Sequence, residues 1–241
     1  MELIVTKDYK GMAREAARII AQDILKKPNM VLGLATGSTP EKVYEKLIEL
    51  YQKGLISFKD MVTFNLDEYL GLSKTHEQSY YYYMMDNLFH HIDIEKENIN
   101  ILDGKALNIE QECKEYEDRI RKAGGIDLQL LGIGRNGHIG FNEPSDEIEP
   151  NTRLVDLTEE TIDVNSRFFD SIDEVPTKAL TMGIKTIMNA RKIILIANGE
   201  EKAQAVYDTV RGPIEPEKPG SILQLHCNAT IIVDEEAAKL L

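Results

Sequence analysis

An α/β fold is what this sequence predicts: a doubly wound, mainly parallel sheet flanked by helices, in a single domain. Three observations carry that expectation. Short apolar runs recur along the chain, at Met30–Ala35, Met61–Leu66, Ile126–Gly134, Lys192–Ala197 and Ala229–Val233. Runs of this length suit strands buried on both faces, as in parallel sheets. Between them lie segments whose apolar residues recur at helical spacing, and alternation of the two patterns implies helical crossovers. At 241 residues the chain suffices for one large domain of this kind.

Taken in order, residues from about 8 to 26 place Met12, Ala16, Ile19, Ile20 and Ile24 on one side of a helix, which Lys27-Pro28-Asn29 ends. The strand Met30–Ala35 runs into the turn Thr36-Gly37-Ser38-Thr39 and a periodic segment from Pro40 to about Tyr51. Thr39 suits the N-cap of that helix and Pro40 its first position, where a missing N–H is no loss. The strand Met61–Leu66 ends at Asp67-Glu68. Helices follow over about 77–90 and 108–123, the second with Ile109, Cys113, Tyr116 and Ile120 on one face. Another helix is expected over 200–211, between the strands Lys192–Ala197 and Ala229–Val233. The polar segment from about 145 to 178 lacks such order and reads as a mobile cover, and Pro213 to Pro219 reads as a surface loop.

Apolar residues make up 42% of the chain and charged ones 29%, an ordinary globular balance that excludes disorder and low complexity. The net charge of −13 argues against nucleic acid or an anionic membrane as a partner, since those surfaces need a basic footprint. A phosphate ligand would have to sit in a local basic pocket. The two cysteines, Cys113 and Cys227, fit no zinc spacing and point to a reducing compartment. The first residues hold too short an apolar run for a signal peptide, and no segment approaches about 18 apolar residues, so the cytoplasm is expected.

The stretch Gly132-Ile-Gly-Arg-Asn-Gly-His-Ile-Gly-Phe-Asn-Glu-Pro144 carries the strongest chemical signal. It sets His138 and Glu143 in a glycine-dense loop at the end of a buried strand, the edge where open α/β sheets bind ligands. Gly132, Gly134, Gly137 and Gly140 are expected to supply positive φ and close backbone approach. The spacing of Gly132, Gly134 and Gly137 also matches a dinucleotide fingerprint. That reading is set aside, because the fingerprint belongs to a first βα turn with an acidic residue about 20 positions on. Asp67, at the end of another buried strand, is a carboxylate that must be solvated, paired or catalytic. Two groups able to exchange protons with one substrate make a general acid–base site.

The turn Thr36-Gly37-Ser38-Thr39 offers backbone N–H groups, hydroxyls and a helix N-terminus to an anion, although on its own it is equally a helix cap. Arg167 and Lys202 are candidate phosphate clamps. The run Tyr80 to Tyr83 reads as helix packing, and His76, His90, His91 and His226 lack metal-ligand spacing.

Three segments together, Gly33-Leu-Ala-Thr-Gly-Ser-Thr-Pro40, Phe64-Asn-Leu-Asp-Glu-Tyr-Leu-Gly71 and Gly132 to Pro144, closely resemble the glucosamine/galactosamine-6-phosphate isomerase family, and within it the glucosamine-6-phosphate deaminases. Asn165-Ser-Arg-Phe-Phe169, Val175 to Gly183 and Leu223-Gln-Leu-His226 extend the likeness over about residues 31 to 227. The resemblance implies a modified Rossmann-like fold that converts glucosamine 6-phosphate and water to fructose 6-phosphate and ammonia, with no redox cofactor or metal needed. It implies that His138 opens the sugar ring, that Asp67 moves a proton from C2 to C1, and that Glu143 orients His138. It assigns the phosphate to Thr36–Thr39 with Arg167 and Lys202, and a lid to about 155–178. The family pattern has Asp where this chain has Asn136, which keeps hydrogen bonding but removes a charge and leaves Glu143 to supply the electrostatic help alone. The activator site of allosteric members uses basic residues after Pro144. Here stand Asp146, Glu147 and Glu149, which speaks against activation by N-acetylglucosamine 6-phosphate. Oligomeric state stays open.

Two rival readings remain at this level. A 6-phosphogluconolactonase-like hydrolase shares the fold and needs no carbon-acid base. A non-catalytic sugar-phosphate sensor would bind without turnover.

Overall fold

A computed structural model describes residues 1–166, 169, 171 and 174–241. Among these residues the strands are β1 (Glu2–Thr6), β2 (Val31–Leu34), β3 (Val62–Asn65), β4 (Asp67–Tyr69), β5 (Ile99–Asn100), β6 (Leu128–Leu131), β7 (Arg153–Asp156), β8 (Lys178–Thr181), β9 (Ile193–Ala197) and β10 (Ala229–Asp234). The α-helices are α1 (Tyr9–Lys26), α2 (Ser38–Gln52), α3 (Tyr80–Asn87), α4 (Ile109–Lys122), α5 (Glu159–Ser166), α6 (Ile184–Met188) and α7 (Ala203–Arg211).

Seven strands form one parallel sheet in the order β1-β10-β9-β6-β2-β3-β5. Every residue of β2, β6, β9 and β10 is buried, which is why these segments read as mostly apolar runs. One face packs Leu32, Leu34, Leu128, Leu130, Ile194 and Ile196 against α1 and α2. The other packs Phe64, Leu131, Ile193 and Leu195 against α4, α6 and α7. Helices on both faces make the sheet doubly wound, as expected. From β2 the strand order runs one way to β3 and β5 and the other way to β6, β9 and β10. That reversal opens a crevice at the carboxyl ends of β2 and β6, the place where such sheets hold ligands.

A second sheet, antiparallel in the order β4-β8-β7, leans on this end of the molecule and was not anticipated from the sequence. Its strands are only three or four residues long and pair across distant parts of the chain, so no local pattern announces them. The chain leaves β3, turns at Leu66 and enters this sheet at Asp67. The edge strand β1 was likewise missed, being partly exposed and too short to display a clear period.

Three expectations need correction. The helix after β2 starts at Ser38 with Gly37 at the N-cap, so Thr39 and Pro40 lie inside its first turn. Proline is tolerated there because the first turn's N–H groups have no intrahelical acceptor. The helix expected over 77–90 is α3 followed by a separate 3₁₀ turn, Phe89–His91. The segment 145–178, read as lacking order, holds β7, α5 and the first residue of β8. A start signal for α5 was present in Thr158-Glu-Glu-Thr161, where the Thr158 hydroxyl accepts the Thr161 amide at 3.2 Å.

Candidate active site

A cavity of about 210 Å³ occupies the crevice at the ends of β2, β3 and β6. Thr36, Gly37, Ser38, Thr39, Asp67, Asn136, His138 and Lys202 all line it. The structure thus gathers eight of the ten residues singled out from the sequence. Glu143 stands behind His138, and Arg167 lies outside the described residues.

The turn Thr36–Thr39 is braced from beneath by tyrosine hydroxyls. Tyr44 donates to the Ala35 carbonyl, Tyr83 to that of Gly37 at 2.7 Å and Tyr9 to that of Ser38 at 2.6 Å. Gly37 takes φ of 102°, a conformation that side chains disfavour, and so turns the chain into α2. With its carbonyls engaged from below, the turn suits an anion bound at a helix N-terminus. Tyr80, whose hydroxyl is hydrogen-bonded to Thr36 and Tyr69, also lines the cavity and stacks on Phe141 at 6.0 Å between ring centroids. The tyrosine run is therefore more than helix packing. Nothing in its spacing could have distinguished a hydroxyl that props a turn from one that faces solvent.

Lys202 comes from the 3₁₀ turn Glu200–Lys202 that follows β9. This turn is anchored where the Gly199 amide donates to both carboxylate oxygens of Asp234, at 3.0 and 3.2 Å. Beside it an ion pair joins Arg135 to Glu201, two half-exposed residues at the cavity rim.

Asp67 is only 6% exposed. Burial, reinforced by the neighbouring Glu68 charge, pushes its carboxyl from 3.8 up to about 8. Glu68 plays a different part. It accepts the amides of Tyr69, Tyr80 and Tyr81, each at 2.9 Å, and so holds the start of α3 against β4. Burial still pushes it up to about 7 despite those three donors.

The loop after β6 presents His138. A Cβ at Gly134 would lie 2.3 Å from His138 Cε1, so the ring rests directly on glycine backbone. Positive φ occurs at Gly137 and Gly140, whereas Gly132 and Gly134 do not show it, contrary to the sequence reading. His138 Nδ1 lies 3.2 Å from Glu143 Oε2, within ion-pair range but off the line of a good hydrogen bond. Asn136 ties the two together: its Nδ2 donates to Glu143 Oε2 at 2.8 Å and its Oδ1 accepts the His138 amide at 3.2 Å. Burial works to raise the Glu143 carboxyl. The imidazole, with the hydroxyl of Thr161 and the amide of Asn136, overcomes this and holds it near 2.

A buried carboxyl and an imidazole–carboxylate pair share one cavity with the turn at the N-terminus of α2, and groups of this kind can exchange protons with a bound molecule. A model of the glucosamine-6-phosphate isomerases/6-phosphogluconolactonase family matches residues 7–232, and the chain belongs to that family. Within it, the glucosamine-6-phosphate deaminase of Clostridium novyi (strain NT) is 58% identical over 241 residues, covering 100% of both chains. That of Thermoanaerobacter sp. (strain X514) is 54% identical over 100% of this chain and 95% of its own length. The solved structure of a monomeric glucosamine-6-phosphate deaminase superposes with a TM-score of 0.97 at 47% identity, covering 100% of both chains. A 6-phosphogluconolactonase from Trypanosoma brucei reaches 0.81 at 19% identity, over 100% of this chain and 98% of that one, and shares the fold.

Proposed function

We propose that this chain converts glucosamine 6-phosphate and water into fructose 6-phosphate and ammonia. The observation that carries this reading is the placement of Asp67 and His138 on one cavity together with the Thr36–Thr39 turn and Lys202. Full-length identity of 54–58% to glucosamine-6-phosphate deaminases supports it.

The phosphate binds at the turn, against the N-terminus of α2, with Lys202 and Arg167 as cationic partners. His138 carries a proton between the ring oxygen and the anomeric hydroxyl and so opens the pyranose. Glu143 holds the imidazole in place for this transfer. Asp67 then takes the proton from C2 and returns it to C1 through an enolamine. The C2 amine becomes an imine, which water hydrolyses to the ketone with release of ammonia. A carboxyl of raised proton affinity suits this shuttle, because it must accept a carbon-bound proton and give it back. Asn136 works as the tie between His138 and Glu143. Residues 155–178 act as a lid that excludes water during the chemistry.

Among the described residues no helix is long and apolar enough to cross a membrane. The cytoplasm fits the two free cysteines, one buried and one exposed.

Incubation with glucosamine 6-phosphate, with ammonia and fructose 6-phosphate quantified together, tests the reading. Equal amounts of the two products are expected, with no hydrolysis of 6-phosphogluconolactone. Lactone hydrolysis without ammonia release would transfer the chain to the lactonase branch, and binding without turnover would make it a sensor.

A further inference from the structure

Two segments meet at Glu143. Its Oε2 takes the Asn136 amide and faces His138, both from the loop after β6. Its Oε1 accepts the hydroxyl of Thr161, at 2.5 Å, and that residue is carried on α5. Thr161 is buried and lines the cavity, and it receives the Thr158 hydroxyl at 3.1 Å. A hydroxyl has one proton to give, so with Thr158 donating to Thr161 the Thr161 proton is committed to Glu143.

This bond does nothing for the helix itself. Capping belongs to Thr158, whose hydroxyl accepts the Thr161 amide. The Thr161 hydroxyl is spent on the carboxylate. A Glu carboxylate turns freely about its last torsion, which has no sharp staggered wells. Held only at Oε2, it could swing its charge away from the imidazole. With Oε1 fastened to α5 and Oε2 to Asn136, that rotation is blocked.

We propose that Thr161 is a positioning residue, whose hydroxyl fixes the Glu143 carboxylate against His138 and thereby makes the geometry of that pair depend on where α5 sits. The inference rests on the reading of His138 and Glu143 as the ring-opening pair. It couples the segment over the cavity to the acid–base group beneath it, so that the pair is fully aligned only when α5 is in place.

Thr161→Val keeps the shape of the side chain and deletes the hydroxyl. In steady-state ammonia release from glucosamine 6-phosphate, kcat should fall about tenfold while KM stays within about twofold, the signature of a lost transition-state contribution. Thr161→Ser, which restores the donor, should return kcat to within about twofold of the unaltered protein. Thr158→Ala weakens the α5 cap but leaves the Thr161 hydroxyl in reach of Glu143, and should cost less than about threefold by the same comparison. Thr161→Ala deletes the hydroxyl at smaller volume, so a folding defect confined to the valine variant leaves the test standing. Unchanged kcat without the hydroxyl, a serine variant as poor as valine, or an equal loss in Thr158→Ala overturns the proposal. Failure of the underlying reading looks different: Glu143→Gln and His138→Asn would then turn over normally, whereas failure of the Thr161 inference alone leaves both impaired.

Discussion

Asp67 and Thr181 face each other across the antiparallel pairing of β4 and β8, and the Thr181 hydroxyl accepts the Phe141 amide at 3.1 Å. One threonine thereby fastens the strand that holds the buried carboxyl to the loop that holds His138. The loop passes close over this join: a Cβ at Gly140 would lie 3.0 Å from Thr181 Oγ1 and 3.5 Å from Asp67 Oδ2. The small sheet thus sets the separation of the two groups that the proposed reaction needs.

Thr181→Val tests that tie. The Phe141 amide would lose its acceptor in a buried setting, at a cost of about 1–3 kcal/mol. Urea denaturation should register the loss, and kcat should fall more than KM rises. Unchanged stability together with unchanged turnover would show that the loop is held by other contacts.

Asp67→Asn should lower kcat by about 10²–10⁴-fold, the range for a positioned general base, and leave KM within a few-fold. Ammonia release under saturating substrate is the measurement. A variant with more than half the original rate would remove Asp67 from the proton shuttle.

The same carboxyl shapes the dependence of stability on pH. Asp67 is raised from 3.8 to about 8 in the folded protein and Glu68 from 4.5 to about 7, so over that interval the folded state retains protons that the unfolded chain has released. Their contribution is fully present below about pH 4 and is lost as pH rises through 7 and 8. The protein should therefore be less stable at pH 9 than at pH 5.5, by an amount on the order of a few kcal/mol. Asp67→Asn should flatten that decline, as chemical denaturation at the two pH values would reveal. An equally steep decline in the variant would assign it to other groups.

Gly134→Ala would place a methyl group 2.3 Å from His138 Cε1 and 2.4 Å from Nδ1, and the imidazole must move. A displacement of about 1 Å at a reacting group can cost about 100-fold in rate. Turnover should fall to that extent while the far-ultraviolet circular dichroism spectrum is preserved. Full activity would mean that the ring does not work from its observed position.

Lys202→Ala should act through binding. KM for glucosamine 6-phosphate should rise by about 10–100-fold with kcat little changed, since a charged contact to a non-reacting phosphate stabilises ground and transition states alike. Unphosphorylated glucosamine as substrate should not distinguish the variant from the original chain. A change confined to kcat would argue against phosphate contact.

Much of this was legible along the chain. The buried strands announced themselves because burial on both faces leaves little choice but Val, Ile, Leu and Ala, as in Ile193–Ala197. Asp67 and His138 could be singled out because polar residues at the ends of such strands stand at the ligand edge of the fold, Lys202 as a cation in an otherwise acidic chain, and Asn136 only through the family resemblance. Tyr83, Thr161 and Thr181 could not. Each acts through one hydroxyl on a partner at least 18 residues away, at Gly37, Glu143 and Phe141, and a hydroxyl's identity is the same whether it meets water or a carboxylate.

The sequence by itself determined the layered architecture and the acid–base groups offered to the cavity, because hydrophobic periodicity and glycine-rich strand ends are local properties. Only the tertiary structure decided how those groups are aimed. The small sheet β4-β8-β7, the tyrosine props under Thr36–Thr39 and the hold of α5 on Glu143 all depend on pairings between distant segments. Such pairings form when loop closure is repaid by burial and hydrogen bonding, and that balance is set in three dimensions.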